Sequence, residues 1–223
     1  MRRLGLLAFI LIAGGCRREE KPPSAEGAPV PPPAAAPAPD SRPVIVAFGD
    51  SISAGFGLDT GQSFPDLLQR DLDARGFHYR VSNMGISGDT TQDGLARLSL
   101  AIAEKPAIAL LELGGNDGLR GVPISVTQQN LAEMIEAFQR AGAQVVLAGM
   151  TLPPNYGATY IRKFEAVYRD LAAKYKVTLI PFLLEGVGGD TRYMQRDGLH
   201  PNADGARKVE ALVMKTLEPS LKR

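Results

Sequence analysis

The sequence predicts an α/β sandwich, a parallel sheet with helices packed on both faces. Three observations predict it. Short apolar runs alternate with longer stretches of helical spacing along most of the chain. The first run, Val44-Ile45-Val46-Ala47-Phe48, has strand length and β-branched content, and turn residues follow it at once. The 223 residues are 44% hydrophobic and 22% charged, enough apolar side chain for one sizeable core.

The elements follow in order. Residues 1–15 read as an export signal, with Arg2 and Arg3 ahead of an apolar core from Leu4 to Ala13 and small residues at Gly14 and Gly15. That core is shorter than the ~20 apolar residues a membrane span needs. Cys16, the single cysteine, stands directly after it. The arrangement resembles a bacterial lipobox, with Ala13 where that motif prefers Leu, and implies that Cys16 is lipidated. A plain secretory signal with an incidental cysteine is the alternative. Residues 16–43 are rich in Pro and Ala, as in Pro31-Pro32-Pro33-Ala34-Ala35-Ala36-Pro37, and carry almost no large apolar side chains. Such a segment buries too little to offset its ordering entropy, so a disordered, semi-extended tether is expected.

Residues 44–223 form the expected single domain. Strands are predicted at 44–48, 79–82, 107–113, 144–149 and 177–180. Helices are predicted at 64–75, 91–104, 125–140, 160–174 and about 202–217. The third shows the spacing plainly: Leu131, Met134, Ile135 and Phe138 fall at i, i+3, i+4 and i+7. Gly76, Gly142 and Lys174 mark helix ends.

Chemistry-bearing residues gather where strands end, the edge at which open α/β sheets bind ligands. Ser51 follows the first strand in Gly49-Asp50-Ser51-Ile52-Ser53, which is not the G-x-S-x-G elbow because Ser53 replaces the second glycine. A helix cap accounts equally for Asp50 and Ser51. Asp197-Gly198-Leu199-His200-Pro201 places a carboxylate three residues before an imidazole, the orienter and base that a serine nucleophile requires. Asn116, after Gly114 and Gly115, offers an amide donor for an oxyanion. Gly85 and Gly88 close the second strand, where a glycine N–H can approach an anion; a phosphate-binding turn is the rival reading. His78, between Phe77 and Tyr79, is assigned a structural place.

From Val44 to the C-terminus these motifs resemble the SGNH, or GDSL, hydrolases. The resemblance rests on Gly49-Asp50-Ser51-Ile52-Ser53-Ala54-Gly55, Ile86-Ser87-Gly88-Asp89-Thr90, Leu111-Glu112-Leu113-Gly114-Gly115-Asn116-Asp117-Gly118-Leu119-Arg120-Gly121, Leu152-Pro153-Pro154-Asn155-Tyr156-Gly157 and Asp197-Gly198-Leu199-His200-Pro201. It implies a flavodoxin-like three-layer fold on a five-stranded parallel sheet. It implies Ser51 as nucleophile, His200 as base and Asp197 as orienter, with an oxyanion hole from the Ser51 and Gly88 N–H groups and the Asn116 side chain. It also implies a substrate loop over about 117–123, and an acyl groove lined by Asp117, Leu119, Val122, Leu152, Pro153 and Tyr156. The implied activity is hydrolysis of acyl esters and thioesters, lysophospholipids included, through an acyl-enzyme and with no metal or cofactor. A carbohydrate O-deacetylase and an inactive lipid-anchored binding protein are the alternatives. Phe56-Gly57-Leu58-Asp59 departs from close family members and leaves substrate preference open.

Charge and rare residues exclude several classes. A net charge of +1 gives no footprint for nucleic acid. One cysteine excludes a disulfide framework, and only His78 and His200 are present, so a histidine-rich metal centre is excluded. The expected protein is an exported monomer, held by its lipid on the envelope and facing the periplasm.

Overall fold

The computed structural model describes residues 40–223. The expected signal segment, Cys16 and the tether up to residue 39 lie outside the described residues. Strand β1 (Val44–Gly49) is buried at every position, which is why its sequence is apolar throughout rather than alternating. It lies between β2 (Arg80–Asn83) and β3 (Pro106–Glu112), and β4 (Gln144–Ala148) and β5 (Thr178–Ile180) complete the sheet in the order β2-β1-β3-β4-β5. All four pairings are parallel.

Helices α2 (Phe64–Ala74), α3 (Thr91–Ala103), α5 (Ile124–Arg140), α6 (Ala158–Tyr175) and α7 (Ala203–Leu217) link and cover the strands. Each matches a predicted helix to within two residues at either end, and the five strands match to within one. Their starts carry caps: Ser63 accepts from Asp66 N, Thr90 and Asp93 form a reciprocal capping box, and Asn202 accepts from Asp204 N and Gly205 N. Helix α6 runs to Tyr175 and ends on Lys176 in the left-handed region (φ 54°), one turn position beyond the expected stop at Lys174.

Two short helices escape the sequence patterns, α1 (Ser51–Ala54) and α4 (Gly115–Leu119). Neither is long enough to show a 3.6-residue period. Both begin just past a strand's C-terminal end and carry site residues. The core seats Phe48 edge-on against Phe138, centroids 5.7 Å apart, and Phe164 against Tyr168 at 5.5 Å.

Residues 40–43, counted with the tether on composition, lie along the domain. Pro43 O accepts from Arg80 N at 3.0 Å, and Arg42 pairs with Asp40 at 2.7 Å while donating to Tyr79 O at 3.4 Å. Composition alone does not reveal these contacts, because they depend on β2 lying alongside. His78 is exposed ahead of β2, at the sheet edge opposite the loops that carry Ser51 and His200.

Candidate active site

Ser51 opens α1 directly after β1. Asp50 caps that helix, its Oδ1 accepting from Ile52 N at 3.0 Å. The turn is crowded enough to require glycine: a Cβ on Gly49 would sit 2.2 Å from Ser53 Oγ and 2.3 Å from Glu112 Oε2. Ser51 is 9% exposed, so its hydroxyl is held rather than free to rotate in bulk water.

The long connection between β5 and α7 (residues 181–202) brings His200 to it. His200 Nε2 lies 2.9 Å from Ser51 Oγ, and His200 Nδ1 lies 2.6 Å from Asp197 Oδ2. The other Asp197 oxygen accepts from Leu199 N at 2.9 Å and His200 N at 3.1 Å, so the turn fixes the carboxylate before it meets the ring. Burial pushes the Asp197 carboxyl up, but the His200 bond and the two backbone N–H groups outweigh it and leave it below the ordinary value. Asp197 therefore stays charged, as an orienter of imidazole must. The Phe56 ring covers one side of His200, centroids 4.6 Å apart.

Three donors are expected from the sequence to serve an oxyanion. The Ser51 and Gly88 N–H groups have no hydrogen-bond partner among the described residues. Gly88 adopts φ +90°, a backbone that side chains rarely tolerate. Its carbonyl accepts from Arg120 Nη2 at 2.8 Å. Asn116, on α4, donates its amide hydrogens to Asp50 Oδ2 and Asp89 O, both at 3.0 Å. Both Asn116 amide hydrogens are thus committed, while the Ser51 and Gly88 N–H groups remain without an acceptor among the described residues.

Arg97, which sequence reasoning missed, clamps these loops together. Its guanidinium pairs with Asp89 at 2.6 Å and donates to Met84 O at 2.7 Å and Gly49 O at 2.8 Å, while lying 4.2 Å from the Phe48 ring centroid. It looks like any polar residue of α3, so only its partners reveal it.

A cavity of about 430 Å³ opens from Ser51, Asn116 and His200. Of the expected groove residues, Leu119, Leu152 and Pro153 line it. Asp117, Val122 and Tyr156 do not. Asp117 is 1% exposed, and its carboxylate is committed to Thr91 N, Thr91 Oγ1 and Thr127 Oγ1, tying α4 to α3 and α5. Val122 is tied back by its N–H to Asp117 O at 2.9 Å. Tyr156 donates its hydroxyl to Leu119 O at 2.8 Å and so props the cavity wall from behind. Much of the remaining apolar wall comes from Met150, Phe182, Leu184 and Met194. Three of these sit on the irregular connection after β5, where apolar residues without periodic spacing were the one available signal. Among the described residues no group of three or more His, Cys, Asp or Glu side chains is arranged to hold a metal ion.

The chain is 51% identical over 178 residues to the esterase TesA of Pseudomonas aeruginosa, covering 79% of this chain and 89% of that one. It is 39% identical over 176 residues to the thioesterase 1/protease 1/lysophospholipase L1 of Escherichia coli K12, covering 78% and 83% respectively. A crystal structure of TesA superposes with a TM-score of 0.77 at 50% identity, over 79% of this chain and 98% of that chain. Residues 47–208 match the family model of the GDSL-like lipase/acylhydrolases. The chain belongs to that GDSL hydrolase family.

Proposed function

We propose that this protein is a serine esterase that cleaves acyl esters and thioesters through an acyl-enzyme on Ser51. The observation that carries the reading is the unbroken relay from Ser51 Oγ to His200 to Asp197, at 2.9 and 2.6 Å. His200 Nε2 takes the Ser51 proton as Oγ attacks the acyl carbonyl, and returns it to the leaving oxygen or sulfur. Asp197 holds Nδ1–H and offsets the imidazolium charge. The oxyanion is received by the Ser51 and Gly88 N–H groups, and it draws the Asn116 hydrogen that serves Asp89 O in the free enzyme. Each such donor is typically worth about 2.7–4 kcal/mol in the transition state. Water, deprotonated by the same histidine, then releases the acid.

The cavity wall of Leu119, Met150, Leu152, Phe182, Leu184 and Met194 suits an aliphatic acyl chain. Lysophospholipids, fatty acyl thioesters and aryl esters fit that description, and relatives carry arylesterase and lysophospholipase names. On sequence grounds we assign residues 1–15 to export, Cys16 to lipidation and the Pro/Ala-rich segment to a tether, placing a monomeric enzyme on the periplasmic face of the envelope. Detergent-phase partitioning of the mature protein, lost in Cys16→Ser, is the expected result; unlipidated wild type would remove the anchor.

Replacing the orienter tests the chemistry. Asp197→Asn should lower kcat by two orders of magnitude or more, roughly, while KM changes little, because the amide favours the wrong imidazole tautomer. An Asp197→Asn enzyme with wild-type kcat would refute the relay.

A further inference from the structure

Glu112 is a buried acid that the scheme above leaves without a task. It ends β3 beneath the Gly49-Asp50-Ser51 turn and is 0% exposed. Its Oε2 accepts from Ser53 Oγ at 2.7 Å, Asp50 N at 3.1 Å and Ser53 N at 3.3 Å. Its Oε1 is buried without a hydrogen-bond partner among the described residues, and Asp50, whose N–H it already receives on Oε2, brings a second buried carboxyl whose charge bears on it. Two buried carboxyls that feel one another do not both ionise, so one of them keeps its proton.

The surroundings decide which one keeps it. Asp50 Oδ1 accepts from Ile52 N, and Oδ2 accepts from the Asn116 amide, both at 3.0 Å, and Ser51 Oγ, the partner of His200, lies 3.5 Å from Oδ1. Glu112 has hydroxyl and backbone donors on one oxygen only. Arg97, the cation arriving from α3, is committed to Asp89, Met84 O and Gly49 O. From α6, the Tyr168 hydroxyl donates to Leu113 O, and from α4, Asp117 is bound to Thr91. Among the described residues no cation pairs with Glu112. Burial first, and the Asp50 charge second, push its carboxyl well above the ordinary value.

We propose that Glu112 is a positioning residue that works as a neutral acid, donating its O–H to Asp50 and keeping the pair's single negative charge there. The proposal rests on the esterase reading of Ser51. The Asp50 charge orients the Asn116 amide and the α1 turn, and it favours the His200 imidazolium that forms during attack. A second charge on Glu112 would stand beneath the developing oxyanion and oppose it. Losing the Glu112 proton therefore slows acylation and sets an alkaline limit on activity.

Two measurements test this. In wild type labelled with ¹³C at the Glu side-chain carboxyl, one resonance should remain protonated at pH 8 and be missing from Glu112→Gln. No protonated Glu at that pH overturns the proposal, whether or not the variant folds. For kinetics, Gln supplies the acceptor and donor of the neutral acid, so Glu112→Gln should keep kcat/KM for a p-nitrophenyl ester within about threefold at pH 7. The wild-type decline at alkaline pH should vanish in that variant. A folded Glu112→Gln that keeps the alkaline decline, or that loses about a hundredfold at pH 7, overturns the proposal, since the second result would mean the charge itself is required. A wild type without any ester turnover would remove the esterase reading instead, and the ¹³C spectrum would still decide the protonation.

Discussion

Lengthening the acyl chain should raise kcat/KM, by an amount the cavity sets. About 430 Å³ of largely apolar space begins at the nucleophile, with Leu119, Leu152 and Leu184 among its walls. Each methylene moved from water into such a wall contributes up to about 0.8 kcal/mol. Acetyl to hexanoyl adds four methylenes, so the ceiling is about 3 kcal/mol, or roughly 200-fold in kcat/KM. Incomplete burial brings the expected gain to between about tenfold and that ceiling. Some of it should appear in kcat, where the seated chain aligns the carbonyl. The assay is a p-nitrophenyl ester series of fixed leaving group, from acetate to dodecanoate, with a plateau expected where the cavity ends. Leu119→Asp should flatten the rise while sparing acetyl cleavage, since Leu119 is only partly buried at the wall. Leu152 would be a poor choice for that variant. It is 5% exposed, and its Cδ2 would lie 2.6 Å from a Cβ on Gly118, so a charge there would disturb packing as well as the groove. A flat or falling series, with an acetylated sugar hydrolysed faster than any p-nitrophenyl ester, would refute the acyl-groove reasoning.

Two further variants probe the scaffold. Arg97→Met should leave the Asp89 carboxylate unpaired where both side chains are about one-tenth exposed, costing about 3–5 kcal/mol and on the order of 10 °C in Tm. A loss under about 1 kcal/mol would show that the loops do not depend on the clamp. Glu210 tests pH dependence: burial first, then Asp71, push its carboxyl up to about 7 against an ordinary 4.5, with Arg75 opposing. The folded chain thus holds a proton that the unfolded chain releases near pH 4, so stability falls as pH rises from there toward 7. Because Glu210 is only half-buried, about 1 kcal/mol is expected rather than the full value of the shift. Glu210→Gln should accordingly gain Tm on wild type between pH 5 and 8, and a difference that stays constant or shrinks with pH would contradict this.

Much of the fold was legible because strands buried on both faces read as apolar runs and amphipathic helices repeat at 3.6 residues. Those signals found β1 to β5 and the five long helices. The hydrogen-bonded chain of Ser51, His200 and Asp197 was legible for a related reason: Ser51 follows a strand's end closely, and Asp197 and His200 sit in one distinctive short motif. What stayed hidden depends on partners far along the chain. Asp117 shares a motif with Asn116, yet its side chain turns inward to Thr91 and Thr127. Tyr156 supports Leu119 from behind, and Arg97 joins two strand-end loops. Phe182, Leu184 and Met194 sit on a connection with no periodicity to betray which way each side chain points. Glu112 left a faint trace, a lone carboxylate closing an otherwise apolar strand.

The central claim is that Ser51, activated by His200, carries the acyl group. Intact-mass and peptide analysis after treatment with a fluorophosphonate tests it most directly. One adduct on Ser51, formed with loss of all ester turnover and absent from Ser51→Ala, is the predicted result. An enzyme that keeps turning over esters unlabelled, or that carries the adduct on another residue, would contradict it.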